Sequence, residues 1–252
     1  MIQAWQYPLL FATGLAAGFV DSIAGGGGLI SLPVLLNFGL EPGAALGTNK
    51  LQGAFGSGSA AWHYAQARAV PLSDCSRGFL FSFTGAALGA AAVQRIHPSF
   101  LRQAIPILLS SIAVYMLIKP EVGKWEAHPR LSRGCFDVVF GLSLGFYDGF
   151  FGPGVGTFWV MAYVLGLGFN MTRATAYTKV MNFASNLSSL ALFILGGNVL
   201  FAAGLTMGVG QSFGARIGAR MVISKGTKFI RPIFITVVLA ISAKLIYENY
   251  RK

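Results

Sequence analysis

Gly18-Phe19-Val20-Asp21, followed by the run Gly25-Gly26-Gly27-Gly28, returns later in the chain as Gly145-Phe146-Tyr147-Asp148 followed by Gly152-Pro153-Gly154-Val155-Gly156. The offset is 127 residues, and after a small insertion it becomes 129 and holds. Lys50 then matches Lys179, Gly85 and Gly89 match Gly214 and Gly218, and Phe100-Leu101-Arg102 matches Phe229-Ile230-Arg231. Self-similarity along a whole half is the mark of a duplicated structural unit. The join falls in the polar stretch from Lys119 to Arg133. We therefore expect a first membrane repeat over residues 1–119, a cytoplasmic linker over 120–133 and a second membrane repeat over 134–252.

Membrane residence follows from composition. Of the 252 residues, 54% are hydrophobic and 11% charged, and the mean hydropathy is +0.64. Soluble domains carry about 25% charged residues, so this chain lacks the polar surface to cover a globule in water. Lipid demands helices or a closed barrel, because every backbone group must be satisfied internally. The apolar runs are continuous rather than alternating, which selects helices. The expected fold class is thus an all-α polytopic membrane protein.

Each half reads as five apolar segments. They are Pro8–Ala24, Leu29–Phe38, Ala44–Tyr64, Phe79–Ile96 and Phe100–Ile118, then Phe136–Phe151, Thr157–Leu167, Ala174–Leu195, Leu200–Ile223 and Phe229–Tyr247. A full span takes about 20 residues, so the second segment of each half is a short or broken helix. If all five cross, eleven Lys and Arg fall on one side and four on the other. That asymmetry is the positive-inside pattern. It selects an inverted repeat of five segments each, with both termini outside the cytoplasm; four spans per half with re-entrant short segments is the alternative. Trp5, Tyr7, Trp62, Tyr64, Tyr247 and Tyr250 stand at segment ends, as headgroup belts do. No Lys or Arg precedes the first apolar run, so a cleaved signal is not expected. Gly85-x-x-x-Gly89 and Gly214-x-x-x-Gly218 have the spacing of close helix contacts.

Charges inside apolar segments are costly, at about 2.5–3.5 kcal/mol on insertion scales, and so demand a reason. Asp21, Lys50, Asp148, Lys179, Arg216 and Lys244 lie there. The repeat sorts them: Asp21 matches Asp148 and Lys50 matches Lys179, whereas Arg216 and Lys244 match Ala87 and Tyr115. The duplicated pairs are the functional candidates. Arg216 is either an ion of the bundle interior or a snorkelling residue, and Lys244 snorkels. Thr48 and Asn49 precede Lys50; Thr178 precedes Lys179, with Asn182 and Asn186 following one helical face. Such a stripe faces a cavity, or else forms a hydrogen-bonded seam between helices.

Both glycine runs precede a short helix. A helix start leaves N–H groups unpaired and carries partial positive charge, and glycine lets a ligand approach the backbone. Two such starts from inverted repeats, with two lysines, make a midplane anion site. The expected substrate-binding set is Gly25, Gly26, Gly27, Gly28, Thr48, Asn49, Lys50, Gly152, Gly154, Gly156, Thr178, Lys179, Asn182 and Asn186. Asp21 and Asp148 serve either as ion-pair partners of the lysines or as proton carriers.

Other classes fit less well. No strand precedes the glycines and no Gly-Lys-Ser/Thr follows them, which excludes a phosphate loop. His63, His97 and His128 lack ligand spacing, and Cys75 and Cys135 form no metal or redox motif. No cofactor, no metal and no enzymatic activity are expected. The net charge of +11 sits in short connections, as anchoring charge does, and no nucleic-acid partner is expected.

The run from Gly18 through Gly28, then Pro33, Pro42, Ala45 and Gly47-Thr48-Asn49-Lys50, resembles the signature of the TauE/SafE family of sulfite and organosulfonate transporters, and within it the YfcA-like branch. Gly145 to Gly156 with Thr178-Lys179 is similar to the repeat of that signature. The resemblance spans nearly the whole chain. It implies a multi-pass permease of the bacterial inner membrane for sulfite, sulfonates or related small carboxylate anions. The expected partners are a small anionic solute and the lipid bilayer, with a homodimer left open. A secondary transporter is the reading; an anion channel is the alternative.

Overall fold

A computed structural model describes residues 3–101, 107 and 128–226. The chain runs α1 (Gln6–Ala24), α2 (Gly27–Asn37), α3 (Pro42–Gln66), a 3-10 turn (Leu72–Cys75), α4 (Ser76–Val93), α5 (Arg133–Phe150), α6 (Val155–Leu167), α7 (Met171–Leu195) and α8 (Phe201–Lys225). The described structure is all-helical, as expected. The fifth expected segment of each half, most of the linker, the Phe100–Arg102 to Phe229–Arg231 match as a whole, Lys244, Tyr247 and Tyr250 lie outside the described residues.

Helix ends repeat with the sequence. α3 and α7 start and stop at positions 129 apart, and α1 and α5 start 127 apart. At 1.5 Å per residue, the 25-residue α3, α7 and α8 reach about 37 Å. The 11 residues of α2 and 13 of α6 reach about half a hydrocarbon core. α2 begins behind Gly25–Gly26 and α6 behind Gly152–Gly154. Pro42 at the first position of α3 suits a helix start.

The two halves are interleaved rather than side by side. α1 packs on α8 and α4 on α5; α3 packs on α8 and α4 on α7; α3 and α7 pack on each other. Glycines carry the closest contacts. A Cβ on Gly18 would lie 2.2 Å from the Gln211 carbonyl oxygen; on Gly145, the residue 127 later, it would lie 2.5 Å from that of Ser82, which is 129 before Gln211. Gly85 meets Leu142 and Phe146, and Gly214 meets Leu15 and Phe19 in the corresponding way. In lipid, where apolar surface alone does not drive helices together, such backbone contact is the main source of packing energy. Gly18→Val and Gly145→Val must therefore push whole helices apart, at a cost of at least about 1–3 kcal/mol. Both should lower the unfolding temperature in detergent. Gly134→Ala, with nothing within 4 Å of the added atom, should not.

Two apolar cores flank the centre. One holds Phe136, Trp159, Tyr163, Phe169 and Tyr177; the other holds Leu10, Leu29, Leu32, Leu35 and Leu46. Trp5 and Trp62 are largely exposed, as anchors at a lipid boundary are. Tyr64 is not such an anchor: it is fully buried and its hydroxyl donates to the Ser22 carbonyl at 2.9 Å. Ser22 lies in α1, so the ring ties α3 to α1 instead of reaching headgroups. Arg216 is exposed on α8, which settles its alternatives as a residue of the outer face.

Candidate functional site

The two glycine breaks meet. Gly25 ends α1 in the left-handed conformation, φ +77°, which favours glycine. A Cβ there would lie 2.4 Å from the Gly156 carbonyl carbon, and one on Gly156 would lie 2.5 Å from the Gly25 Cα. Thr157 Oγ1 donates to the Ala24 carbonyl at 2.9 Å and pins the start of α6 to the end of α1. Gly28 faces Pro153. Two half-helices from opposite halves thus present their N-termini to one buried place. In their first turns the N–H groups of Gly28 and Gly156 have no acceptor among the described residues, as helix geometry requires of groups left without a side-chain cap.

Both lysines are buried, at 1% and 0% exposure, and both are paired across the halves. Lys50 Nζ lies 2.5 Å from Asp148 Oδ1 and also donates to the Asp148 carbonyl. Lys179 Nζ lies 2.9 Å from Asp21 Oδ2. The repeat matches lysine with lysine and aspartate with aspartate; the fold crosses them. Of the two roles open to the aspartates, ion pairing is the one the geometry displays. The four paired charges sum to zero, so the positive character of the centre rests on the helix starts and amide donors, with the ammonium groups held in reserve.

The pairs are not equal. Asp148 is enclosed, its side chain 3% exposed, and Ser185 Oγ donates to its second oxygen. Asp21 has a side chain 15% exposed, and its other oxygen accepts the Gly27 N–H at 3.2 Å. Lys50–Asp148 is therefore the more enclosed pair and Lys179–Asp21 the more exposed one, and both aspartates border the same open space.

That space is a cavity of about 30 Å³, room for about two waters. Gly25, Gly28, Gly152 and Gly154 line it, with Asn49, Asn182 and Asn186 and both aspartates. Gly26, Gly27, Gly156, Thr48, Thr178, Lys50 and Lys179, expected in the same set, are not among the lining residues. Thr48 Oγ1 accepts the Leu200 N–H at 3.0 Å, and Thr178 Oγ1 donates to the Ala174 carbonyl at 2.8 Å; both are engaged in holding helices. Lys50 Nζ is the atom that a Cβ on Gly152 would meet first, at 2.6 Å, which places the ammonium directly behind the cavity wall. Asn49 Oδ1 accepts from Ser31 Oγ at 2.6 Å and from Gln52 Nε2 at 2.7 Å.

Gln52, Gly53, Val155 and Gln211 also line the cavity and are absent from the set expected from sequence. Gln52 follows Lys50 by two residues and was visible as a polar neighbour. Gln211 matches Ser82 in the other half, so the repeat gives it no emphasis. The oxygens of Gln52, Asn182 and Gln211 are buried with no hydrogen-bond partner among the described residues. A side-chain amide carries a donor end and an acceptor end, exchangeable by a flip. Three incompletely bonded amides around one cavity are a reason to look for a ligand or waters there.

Gly141-Leu142-Ser143-Leu144-Gly145 has the spacing of a nucleophile elbow, but it lies within helix α5. Ser143 is exposed and donates to the Val139 carbonyl at 2.6 Å. An elbow needs a strand-to-helix turn and a partner base, and Ser143 has neither at this place.

A family model described as "Sulfite exporter TauE/SafE" matches residues 10–245. The chain is 45% identical to "Probable membrane transporter protein YfcA" of Escherichia coli over 99% of its own length and 93% of that protein. It is 44% identical to a "Probable membrane transporter protein" of Haemophilus influenzae over 96% of its length and 94% of that protein. It is 25% identical to "Probable membrane transporter protein YunE" of Bacillus subtilis, over 97% and 98%. No solved structure matches the chain.

Proposed function

The chain belongs to the TauE/SafE family of membrane transporters, and on that premise we propose that it is a secondary transporter of small anions, with sulfite, sulfonates and related small carboxylates as the substrate class. One observation carries the reading: two glycine-led helix starts from opposite halves converge on a buried cavity with a lysine ammonium beside it and incompletely bonded amides around it. Helix starts favour negative charge by about 0.3–2 kcal/mol each. The cavity is small, so it suits a compact oxyanion head, and an organic tail requires it to widen.

The crossed pairs supply a working mechanism. An anion entering beside Asp21 competes for Lys179; as Asp21 lets go, it rebinds the Gly27 N–H more fully or takes up a proton. Lys50–Asp148 holds the halves together meanwhile. Because each pair ties one half to the other, breaking and remaking the exposed pair changes how firmly the halves are joined, which is what alternating access between repeats requires.

In proteoliposomes we expect saturable sulfite uptake and counterflow, inhibited by short sulfonates. Single-channel current without counterflow would make the protein a channel instead. An inner-membrane location with both termini outside the cytoplasm completes the reading, and the native cysteines test it. Cys75 is buried in the turn before α4, and burial pushes its thiol up to about 12; Cys135 is exposed in the first turn of α5. Thiolate is the reactive form. An impermeant maleimide should label one thiol per chain, Cys135, and only from the cytoplasmic face. Labelling from the opposite face overturns the orientation.

A further inference from the structure

The second half carries at its outer end a cluster that the first half lacks. Arg133, at the start of α5, sits 3.1 Å from Asp137 and donates to the Asp74 carbonyl at 3.0 Å. Its guanidinium lies 5.0 Å from the Tyr177 ring centre, and that of Arg173 lies 4.0 Å from Phe169 and 5.7 Å from Tyr177. Two like charges therefore share one aromatic ring. Arg77, Arg133 and Arg173 gather here with Asp74 and Asp137. The residues 127 before Arg133 and 129 before Arg173 are Gln6 and Ala44.

A surface pocket of about 550 Å³ opens between these groups, lined by Ser132, Arg133, Phe169 and Arg173 among others. Two helix starts adjoin it. Ser132 Oγ caps α5 through the Cys135 N–H, and Asn170 Oδ1 caps α7 through the Arg173 N–H at 2.9 Å. Arginine stacked on an aromatic face holds a fixed orientation suited to a planar or tripodal oxyanion. The pocket is far roomier than the central cavity. From Arg173 to Asn182 along α7 is about 14 Å, so the two places are distinct.

Two buried side-chain donors lie on the helix between them. α6 starts at the central break and ends at this pocket. Trp159 and Tyr163 lie along it, both fully buried, and Trp159 Nε1 and Tyr163 Oη have no partner among the described residues. The rings of Trp159, Tyr163 and Phe169 stack in sequence, at 5.6 Å between centres at each step. Buried donors left unbonded are costly, a burden that a passing anion relieves. α2, the helix in the matching place, has no aromatic residue.

We propose that the pocket between Ser132–Arg133 and Phe169–Arg173 is a second anion site, which takes a small sulfonate or carboxylate oxyanion and hands it along Tyr163 and Trp159 to the central cavity. This rests on the anion reading of the centre and adds a loading site on one face only. The asymmetry means that substrate is captured from the face bearing Arg133 and Arg173, which on the expected topology is the cytoplasm.

Equilibrium binding of radiolabelled sulfite to purified protein tests it. The wild type should bind two sulfites per chain. Arg173→Gln should bind one, and Lys179→Met/Asp21→Asn should bind the other. If Arg173→Gln does not fold, Arg173→Lys, which keeps the charge and gives up the planar stack, should weaken one of the two sites about ten-fold. Two sulfites bound by Arg173→Gln, or two undiminished sites in Arg173→Lys, overturn the second site and leave the central one standing. A single sulfite that is lost in Arg173→Gln and kept in Lys179→Met/Asp21→Asn upholds the second site and removes the central one.

Discussion

Lys50→Met should destabilise the protein by about 3–5 kcal/mol, the cost of leaving a buried charge without its partner. Asp148 is the reason. Its carboxylate is enclosed, and Lys50 supplies the balancing charge as well as a second hydrogen bond to the Asp148 carbonyl. With the ammonium gone, Ser185 alone among the described residues remains as a side-chain donor to it. In a domain of this size, 1 kcal/mol moves the unfolding temperature by about 2–4 °C, so a fall of roughly 10 °C in detergent is expected. Lys50→Met/Asp148→Asn removes both charges and should recover most of that loss. A double variant no more stable than the single one contradicts the pairing seen here.

Lys179→Met/Asp21→Asn should behave differently. Asp21 is partly exposed and keeps the Gly27 N–H as a donor, so neutralising this pair should cost little stability. Its cost falls on function. The cavity loses the one ammonium that an anion reaches by displacing a partly exposed partner. A desolvated hydrogen bond to a charged group is worth about 1.5–3 kcal/mol, which corresponds to a ten- to hundred-fold loss of affinity. Sulfite uptake by the folded double variant should fall by at least that factor. The equivalent change at Lys50 and Asp148 acts mainly on stability, so the two pairs separate fold from transport within one chain. Equal transport by wild type and Lys179→Met/Asp21→Asn would remove Lys179 from the site.

Much of this arrangement was readable in the chain. The apolar runs placed the starts of α1, α3, α5 and α7 within two or three residues, and the offsets of 127 and 129 hold for the observed starts although Ser132 and Asn170 cap only the second-half helices. Asp21, Lys50, Asp148 and Lys179 stood out because charge in an apolar run is costly enough to need a cause. What sequence could not give was the crossing. Self-similarity matches Lys50 to Lys179, but which carboxylate each meets depends on how α1 lies against α8 and α5 against α4. Gln211 was hidden for a related reason: one amide in an apolar helix reads equally as a seam between helices. Tyr64 looked like a headgroup anchor because its place at a segment end is shared by true anchors and by rings that close one helix over another. Arg133 and Arg173 counted toward the charge of one face, and their stacking on Tyr177 and Phe169 required the fold.

An anion is expected to sit where Gly25–Gly28 and Gly152–Gly156 meet. Crystals of the protein grown with selenite, an isostere of sulfite whose selenium scatters anomalously, place that anion directly. A selenium peak should appear within the cavity bordered by Asp21, Asn49 and Asn182, near the N–H groups of Gly28 and Gly156. Selenite transported by the same protein, with no selenium between the two breaks at any concentration, would contradict it.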